Sequence, residues 1–357
     1  MTAAVHQLLP DFAFGDAIGA ITLQTRAMLR ELGFASEIYA AVIDERLHDT
    51  AHPAARLDDD LHAGDAVIYH LSIGSPLAFT VAALRAPVMI LYHNITPPAY
   101  YRATNPRIAQ RLEDGRAELA MLAPRVALCA GVSEFNVEEM RLLGARRTAV
   151  VPPLVNLQRL RPRPSRPQSP PLLVFVSRVA PNKRHDDLIR ALAALRSTAQ
   201  PQARLVIVGR STDTEDYVAA LRQLARDLGV DDAVDWAGRL DDAAVGDLYA
   251  RASAYVCASE HEGFCVPLLE AMAFDVPVVA YAAGAIPDTL DSAGVLLRHK
   301  DPLVWAATID RLLRDAALRA ALTAAGRRRL EDFSAGVVRA RLAAALASIG
   351  VVPEAAA

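Results

Sequence analysis

Two glutamates with seven residues between them, Glu262 and Glu270, lie in the most chemically informative stretch, VCASEHEGFCVPLLEAMAFDVPVVAY at 256–281. This stretch predicts a strand, a polar loop with a glycine, and a helix opened by Pro267, since proline is favoured where its missing amide donor costs nothing. The free amides and partial positive charge of a helix start attract anions. Glu262 on the loop and Glu270 one turn into the helix can therefore both face a ligand bound there.

A carboxylate beside an anion site accepts hydrogen bonds from sugar hydroxyls more readily than it contacts phosphate. Two carboxylates suit a ligand that carries a hydroxylated ring on each side of a diphosphate. The loop also follows a predicted parallel strand, and open α/β sheets bind ligands at the carboxyl ends of their strands. The residue types and their spacing therefore indicate a nucleotide-sugar site.

Alternating strand and helix patterns must position these residues. Short apolar runs predict strands at 3–9, 36–39, 66–70, 88–92, 126–130, 149–151, 172–176, 204–208, 233–237, 254–257, 277–281 and 294–297. Helical patterns between them predict parallel sheets with right-handed crossovers. A proline- and arginine-rich stretch at 156–171 predicts a semi-extended linker. We expect two doubly wound Rossmann-like domains at 1–155 and 172–335, with a helix near 336–357 returning to the first.

The motif EGFCVPLLEAMAFDVPVVA resembles the E-x7-E signature of retaining glycosyltransferase family 4, of the bacterial surface-polysaccharide type. The similarity extends to the stretches at 14–33, 172–189, 238–259 and 284–297 and is more specific in the carboxyl half. It implies the GT-B fold, α/β with two Rossmann-like domains facing across a cleft. The sequence departs from the family pattern at Cys265 and Asp275, where glycine is usual.

The resemblance implies catalytic roles for four side chains. Glu262 would contact hydroxyls of the transferred sugar, and His93 would lie over the reacting sugar. Arg178 and Lys183 would neutralise the diphosphate. Taken alone, a histidine after a strand is more often a buried structural residue, and the family position is what favours the role of His93 at the sugar.

The resemblance also implies donor-binding residues. Glu270 would hold the ribose hydroxyls of the nucleotide. The remaining donor contacts would surround the diphosphate, the sugar and the base, and they are Gly19, Gly263, Phe264, Cys265, Val266, Gly209 and Arg239. Gly19 is expected in the first loop of the amino domain, and Gly209 and Arg239 in the base pocket.

Composition narrows the class of protein. The chain has 357 residues, 53% of them hydrophobic, and a net charge of −3, which excludes a disordered or collagen-like chain and gives no reason to expect nucleic-acid binding. Three scattered cysteines predict no disulfide framework or zinc site. With neither a signal peptide nor a transmembrane segment in the sequence, we expect a cytoplasmic protein.

Charge is unevenly distributed. Residues 101–171 hold twelve arginines against six acidic residues, which is either a solvated surface or a peripheral membrane contact. Only Lys183 and Lys300 are lysines among 38 cationic residues. The lysine ammonium is a compact charge, whereas the arginine guanidinium is a broad planar group. The lysine at 183 therefore suggests that a guanidinium does not fit there.

The predicted activity is retaining transfer of a hexose from a nucleotide-sugar, GDP-mannose first and UDP-glucose or UDP-N-acetylglucosamine next, to a glycan or lipid-linked acceptor. A fixed arginine and lysine can stabilise the leaving diphosphate, and the acidic pairs resemble loop starts and helix caps, so no metal or other cofactor is expected. Two alternatives stay open. One is another GT-B sugar enzyme, such as an epimerase, and the other is a catalytically silent subunit of a polysaccharide assembly complex.

Overall fold

The computed structural model describes residues 4–164, 166–167, 169–212 and 214–353. These residues divide into two compact units. The first contains the residues up to Pro98, Arg107–Val155 and those from Phe333 onward, and the second contains Ala99–Pro106 and Asn156–Asp332. The short segment Ala99–Pro106 therefore groups with the second unit although it lies within the first half of the sequence.

The first unit is built on a sheet of seven parallel strands in the order β3-β2-β1-β4-β5-β6-β7. These strands are β1 Val5–Phe12, β2 Ile38–Ile43, β3 His52–Pro53, β4 Ala66–Leu71, β5 Val88–Tyr92, β6 Leu128–Gly131 and β7 Thr148–Val150. Its helices are α1 Ala17–Glu31, α2 Leu57–Asp60, α3 Leu77–Ala83, α4 Pro106–Leu122, α5 Glu134–Leu142 and the carboxyl-terminal α13 Ala335–Ala347. Every residue of β4 and β5 is buried, as expected for central strands of a parallel sheet covered on both faces.

The second unit contains six parallel strands in the order β10-β9-β8-β11-β12-β13. They are β8 Leu172–Val176, β9 Arg204–Val208, β10 Val234–Gly238, β11 Ala254–Cys257, β12 Val278–Tyr281 and β13 Gly294–Leu297. Its helices are α6 His185–Thr198, α7 Glu215–Asp227, α8 Asp242–Arg251, α9 Val266–Ala273, α10 Ile286–Leu290, α11 Pro302–Arg314 and α12 Ala316–Glu331. The strand order reverses between β8 and β11, and at such a switch point α/β sheets leave a crevice for ligands.

The strand predictions agree with the structure to within a few residues, except that the two-residue β3 was not predicted. Residue 3, where the first strand was predicted to begin, lies outside the described residues. So do positions 165 and 168 of the predicted linker and the last four residues of the predicted terminal helix. The described part of that linker includes a short 3-10 helix at Leu157–Leu160, which ends in a buried leucine.

Two local predictions need correction. Pro267 is the second residue of α9, because the helix begins at Val266. Gly19 is buried in the first turn of α1 and is not in a loop. A Cβ at Gly19 would lie 2.9 Å from the carbonyl oxygen of Ala13, so close packing of this turn accounts for the glycine.

Candidate functional site

The loop between β11 and α9, residues 258–265, carries the central charged pair of the second unit. The Lys183 Nζ lies 2.7 Å from the Glu262 Oε1, and both side chains are mostly buried. Burial by itself would lower the pKa of the Lys183 ammonium, but the Glu262 carboxylate outweighs it and raises that pKa above its ordinary value. The Lys183 ammonium therefore keeps its positive charge near neutral pH, and the structure brings these two predicted residues together.

A second lysine holds the same loop and was not predicted. The Lys300 Nζ donates hydrogen bonds to Asp187 Oδ2 at 2.7 Å, Glu260 Oε1 at 2.9 Å and the Ala258 carbonyl oxygen at 3.1 Å. It also lies 4.5 Å from the ring centroid of Tyr281. The partners of Lys300 could not be predicted, since nothing local to residue 300 points to acids more than 35 residues away.

Glu260 is the meeting point of three donors. Besides Lys300, the Arg184 Nη1 lies 3.0 Å from Glu260 Oε1, and the Tyr100 hydroxyl donates to Glu260 Oε2 at 3.0 Å. Burial would raise the pKa of the Glu260 carboxyl, but these donors together lower it. The Glu260 backbone is held as well, since its amide donates to the Asn182 carbonyl oxygen at 2.9 Å. The loop that presents Glu262 is therefore anchored two residues earlier.

Glu270 lies in α9 and is 3% exposed. The Arg159 guanidinium pairs with its Oε1, and the Tyr249 hydroxyl donates to its Oε2 at 3.0 Å. Burial raises the pKa of the Glu270 carboxyl, against the opposing effect of Arg159. A carboxylate offers about four lone-pair positions, so Glu270 keeps capacity for further hydroxyl donors. Arg159, in the segment predicted as linker, is a site residue that the sequence did not indicate.

Arg178 follows β8, as predicted, and its guanidinium hydrogen-bonds the hydroxyl of Tyr101 and lies 5.5 Å from that ring's centroid. Tyr101 is 2% exposed. Its neighbour Tyr100 contacts Glu260. Both tyrosines belong to the short segment that groups with the second unit.

The start of α9 departs from ordinary helix geometry. Cys265 is the residue before the helix and has a φ of 69°, a left-handed conformation that favours glycine. Its neighbours Gly263 and Val266 are partly exposed and Phe264 is buried. Gly284, at φ 55°, packs against this loop, and a Cβ there would lie 2.8 Å from the Glu262 carbonyl oxygen. The Ala285 amide donates to that same oxygen at 3.0 Å.

Gly209 and Arg239 each follow a strand, as predicted. The Gly209 amide donates to the Gly238 carbonyl oxygen at 2.8 Å, so the residue before Arg239 is adjacent to Gly209. Gly209 also packs on the loop of Arg178, since a Cβ at Gly209 would lie 3.2 Å from the Arg178 amide nitrogen. The Arg239 side chain is exposed.

In the first unit, His93 follows β5 and forms a chain of hydrogen bonds with two buried polar residues. Its Nε2 lies 2.9 Å from His70 Nδ1, and His70 Nε2 lies 2.9 Å from Gln7 Oε1. With Gln7 oriented this way, its oxygen only accepts, so His70 carries its proton on Nε2 and His93 donates from its own Nε2. Burial lowers the pKa of His93 to about 4, and His93 is therefore neutral near pH 7.

Comparison with solved structures assigns the fold. The Anabaena protein HepE, solved in complex with UDP and glucose, aligns with 97% of this chain and 100% of its own at a TM-score of 0.75 and 19% identity. A sucrose-phosphate synthase from Thermosynechococcus elongatus aligns with 95% of this chain and 97% of its own at a TM-score of 0.73 and 18% identity. The chain has the GT-B fold.

The family match by sequence falls within the second GT-B unit. Residues 158–329 match the family of glycosyl transferases group 1. A D-inositol 3-phosphate glycosyltransferase from Salinispora arenicola is 36% identical over 53% of this chain and 46% of its own length. One from Kineococcus radiotolerans is 33% identical over 58% of this chain and 54% of its own length. The chain thus spans about half the length of the curated relatives it matches.

Proposed function

We propose that this chain is a retaining glycosyltransferase that moves a hexose from a nucleoside-diphosphate sugar to an acceptor hydroxyl. The observation that carries the proposal is the salt bridge between Lys183 and Glu262, held on an anchored loop at the switch point of the second sheet. That loop lies within the segment matched by the group 1 glycosyl transferases. Glu270 lies in the helix that follows the same loop.

The charges of the site suit a ligand that is anionic at its centre and hydroxylated at both ends. A bound diphosphate competes with Glu262 for the ammonium of Lys183, and the Glu262 oxygen released from that pair can accept a sugar hydroxyl. Arg178 exchanges the Tyr101 hydroxyl for a phosphate oxygen in the same way. Each charge-assisted hydrogen bond to phosphate contributes roughly 1.5–3 kcal/mol net. The part of this free energy that is gained only as negative charge develops on the departing diphosphate accelerates the transfer.

The remaining assignments keep the roles that the resemblance implies. Glu270 accepts the ribose hydroxyls, and His93 contacts the reacting sugar through the ring nitrogen that His70 leaves unused. The glycines, the amides at the start of α9 and Arg239 complete the donor site. In this scheme the arginine and lysine provide the positive charge, so transfer needs no metal and survives a chelator.

The donor and the acceptor are finer proposals. GDP-mannose stays first because of the resemblance to surface-polysaccharide enzymes, and UDP-glucose gains support from the UDP and glucose bound by HepE. The acceptor is a glycan or a lipid-linked glycan. Among the described residues no helix is both long and apolar enough to cross a membrane.

Peripheral membrane contact through residues 101–171 is a separate part of the proposal. Several arginines of that stretch pair with acids outside it, which reduces its free positive charge. Arg111 pairs with Asp11 at 2.9 Å, and Arg163 pairs with Asp247. Binding of the purified protein to anionic vesicles, compared with neutral vesicles, tests this contact.

The central test measures donor binding and turnover separately. A thermal-shift screen against GDP-mannose, UDP-glucose and UDP-N-acetylglucosamine identifies the donor, since a ligand raises stability according to its occupancy. Nucleotide release is then compared for Glu262→Gln and Lys183→Ala, with the exposed Glu331→Gln as matched control. We expect both site variants to lose at least about 90% of turnover, the effect of one lost charge-assisted bond. Normal turnover in either variant would contradict the site assignment.

The same assay separates the alternatives. A catalytically silent subunit binds the nucleotide-sugar and releases no nucleotide, whereas a transferase releases nucleotide slowly even when water is the acceptor. An epimerase converts the sugar of the donor, and chromatography of the recovered nucleotide-sugar detects this. Strict dependence on added manganese would overturn the metal-independent scheme.

A further inference from the structure

Two cysteines mark the ends of the loop that presents Glu262. Cys257 is the last residue of β11, and Cys265 directly precedes α9. Their Sγ atoms and a carboxylate oxygen of Glu262 all lie within 4.8 Å of one another. Both side chains are buried, with Cys257 fully covered and Cys265 7% exposed. Sequence spacing alone offered no reason to pair them.

The two thiols differ in their electronic surroundings. Cys257 receives a hydrogen bond from Cys265, which is the main cause that lowers the pKa of the Cys257 thiol, and Ser259 adds further donors. Its Sγ lies 3.4 Å from the Ser259 Oγ. The same bond to Cys257, followed by burial, raises the pKa of Cys265. Cys257 is thus the thiol that ionises first, and the thiolate is the reactive form of cysteine.

We propose that Cys257 and Cys265 form an oxidisable dithiol, a modification site at which a small peroxide converts the two thiols into a disulfide. The sulfur atoms already lie within 4.8 Å of each other, and each cysteine lies at a junction between the loop and a regular element. Cys129 provides the contrast, because it is a single buried thiol in β6 whose Sγ lies 3.5 Å from the Ala123 carbonyl oxygen.

A disulfide fits this cluster better than a bound metal ion. Glu262 would be the third ligand, but its Oε1 is already 2.7 Å from the Lys183 Nζ. A divalent cation at this position would lie beside that ammonium and would compete with it for the same carboxylate. A disulfide is neutral and leaves the pair of Lys183 and Glu262 intact.

The reaction balances with hydrogen peroxide as the oxidant. The Cys257 thiolate attacks one peroxide oxygen, the O–O bond breaks, and hydroxide leaves with the second oxygen, which gives a sulfenic acid at Cys257. The Cys265 sulfur then attacks the Cys257 sulfur, the S–O bond breaks, and the hydroxyl leaves as water with the proton of Cys265. Two thiols are oxidised, one peroxide is reduced, and two waters form once the first hydroxide is protonated.

Formation of the bond affects the start of α9. A disulfide requires the two sulfur atoms to approach bonding distance and the Cβ atoms to adopt a restricted geometry. Cys265 already has a left-handed backbone, so its movement toward Cys257 reorients the adjoining amides of the helix start. Under the proposed function, which this consequence presupposes, those amides face the donor diphosphate. We therefore expect the oxidised protein to bind a nucleoside diphosphate roughly tenfold more weakly, the effect of one lost hydrogen bond to an anion.

The test counts thiols in the full chain with Cys129→Ala, which keeps only the pair. After mild peroxide treatment, denaturation and alkylation, we expect no alkylated thiol, a mass lower by two hydrogen atoms, and recovery of both thiols with dithiothreitol. Cys265→Ser serves as the matched control and should stop at a sulfenic acid on Cys257. The unmodified chain provides a measurement that needs no variant, because its Cys129 should stay alkylatable.

Three outcomes would overturn the dithiol. In the first, both thiols of the pair stay alkylatable after peroxide treatment. In the second, Cys129 is oxidised at the same rate as the pair. In the third, zinc binds stoichiometrically and blocks oxidation, which indicates a metal site. Titration with UDP and GDP before and after oxidation is a separate readout. A disulfide that forms without weakening either nucleotide would refute the link to the donor site and leave the dithiol established. Absence of nucleotide binding in the reduced protein would count against the proposed function alone.

Discussion

Replacing Gly209 with alanine provides the sharpest test of whether this glycine serves packing in addition to any contact with a ligand. Gly209 follows β9 at φ +148°, and a Cβ there would lie 1.8 Å from the Ser177 carbonyl oxygen and 2.6 Å from its carbonyl carbon. Both neighbours are backbone atoms, so no side-chain rotation can relieve the overlap. The loop that carries Arg178 or the end of β9 must shift.

The size of the effect follows from two costs. A non-glycine residue in a sparsely populated backbone region costs about 1–3 kcal/mol. Forcing an atom into a packed space costs about 1–3 kcal/mol more. The free energy of unfolding of the second unit should therefore fall by about 2–6 kcal/mol for Gly209→Ala.

Gly238→Ala is the matched control, because Gly238 also has a positive φ, of 64°, yet a Cβ there would meet no atom of the described residues within 4 Å. Only backbone strain applies there, about 1–2 kcal/mol. Urea unfolding followed by tryptophan fluorescence reports the second unit selectively, since the two tryptophans of the chain, Trp236 and Trp305, both lie in it. Equal midpoints for the two variants would refute the packing argument and leave ligand approach as the reason for Gly209.

Three further predictions concern charge. The free energy of unfolding of the first unit should fall as the pH drops from about 6.5 toward 4. In the unfolded chain His93 and His70 take up protons, whereas in the folded protein their lowered pKa values keep both rings neutral. A melting temperature by far-ultraviolet circular dichroism that does not change with pH would contradict this. Lys183→Arg should impair turnover, and full activity would remove the argument for a compact charge. Lys300→Met should destabilise the second unit by about 1–3 kcal/mol, because Glu260 and Asp187 lose one donor but keep Arg184. Urea unfolding measures this loss, and Lys300→Arg should recover only part of it.

Strand positions were predictable because the signal is local. The run at 204–208 was predicted as a strand and is β9, since apolar residues bounded by polar turns can only bury themselves in a parallel sheet. Helix caps were predictable for the same reason. Asp241 caps α8 by accepting from the Ala244 amide at 2.8 Å, and Ser133 caps α5. A hydroxyl or carboxylate just before a helical pattern commonly caps the helix by accepting a hydrogen bond from an amide of its first turn.

The partners of the site residues were not predictable, because they depend on contacts far apart in sequence. Arg159 and Glu270 are separated by 111 positions, and Tyr101 and Arg178 by 77. In a chain with so many arginines, nothing in the sequence distinguishes Arg159 from its neighbours in the linker. The resemblance to a known family identified Glu262, Glu270 and Lys183 as site residues. It contains no information about which groups pair with them when no ligand is bound.

The two lysines of the chain hold the same loop. Lys183 pairs with Glu262, and Lys300 pairs with Glu260 two residues earlier. The three acceptors of Lys300 converge on one nitrogen at 2.7–3.1 Å, an arrangement that a tetrahedral ammonium satisfies with its three protons. A guanidinium directs its donors outward in one plane from three nitrogens and cannot meet three acceptors at a single atom. The geometry therefore favours lysine at 300, where two carboxylates and a carbonyl oxygen converge on one nitrogen.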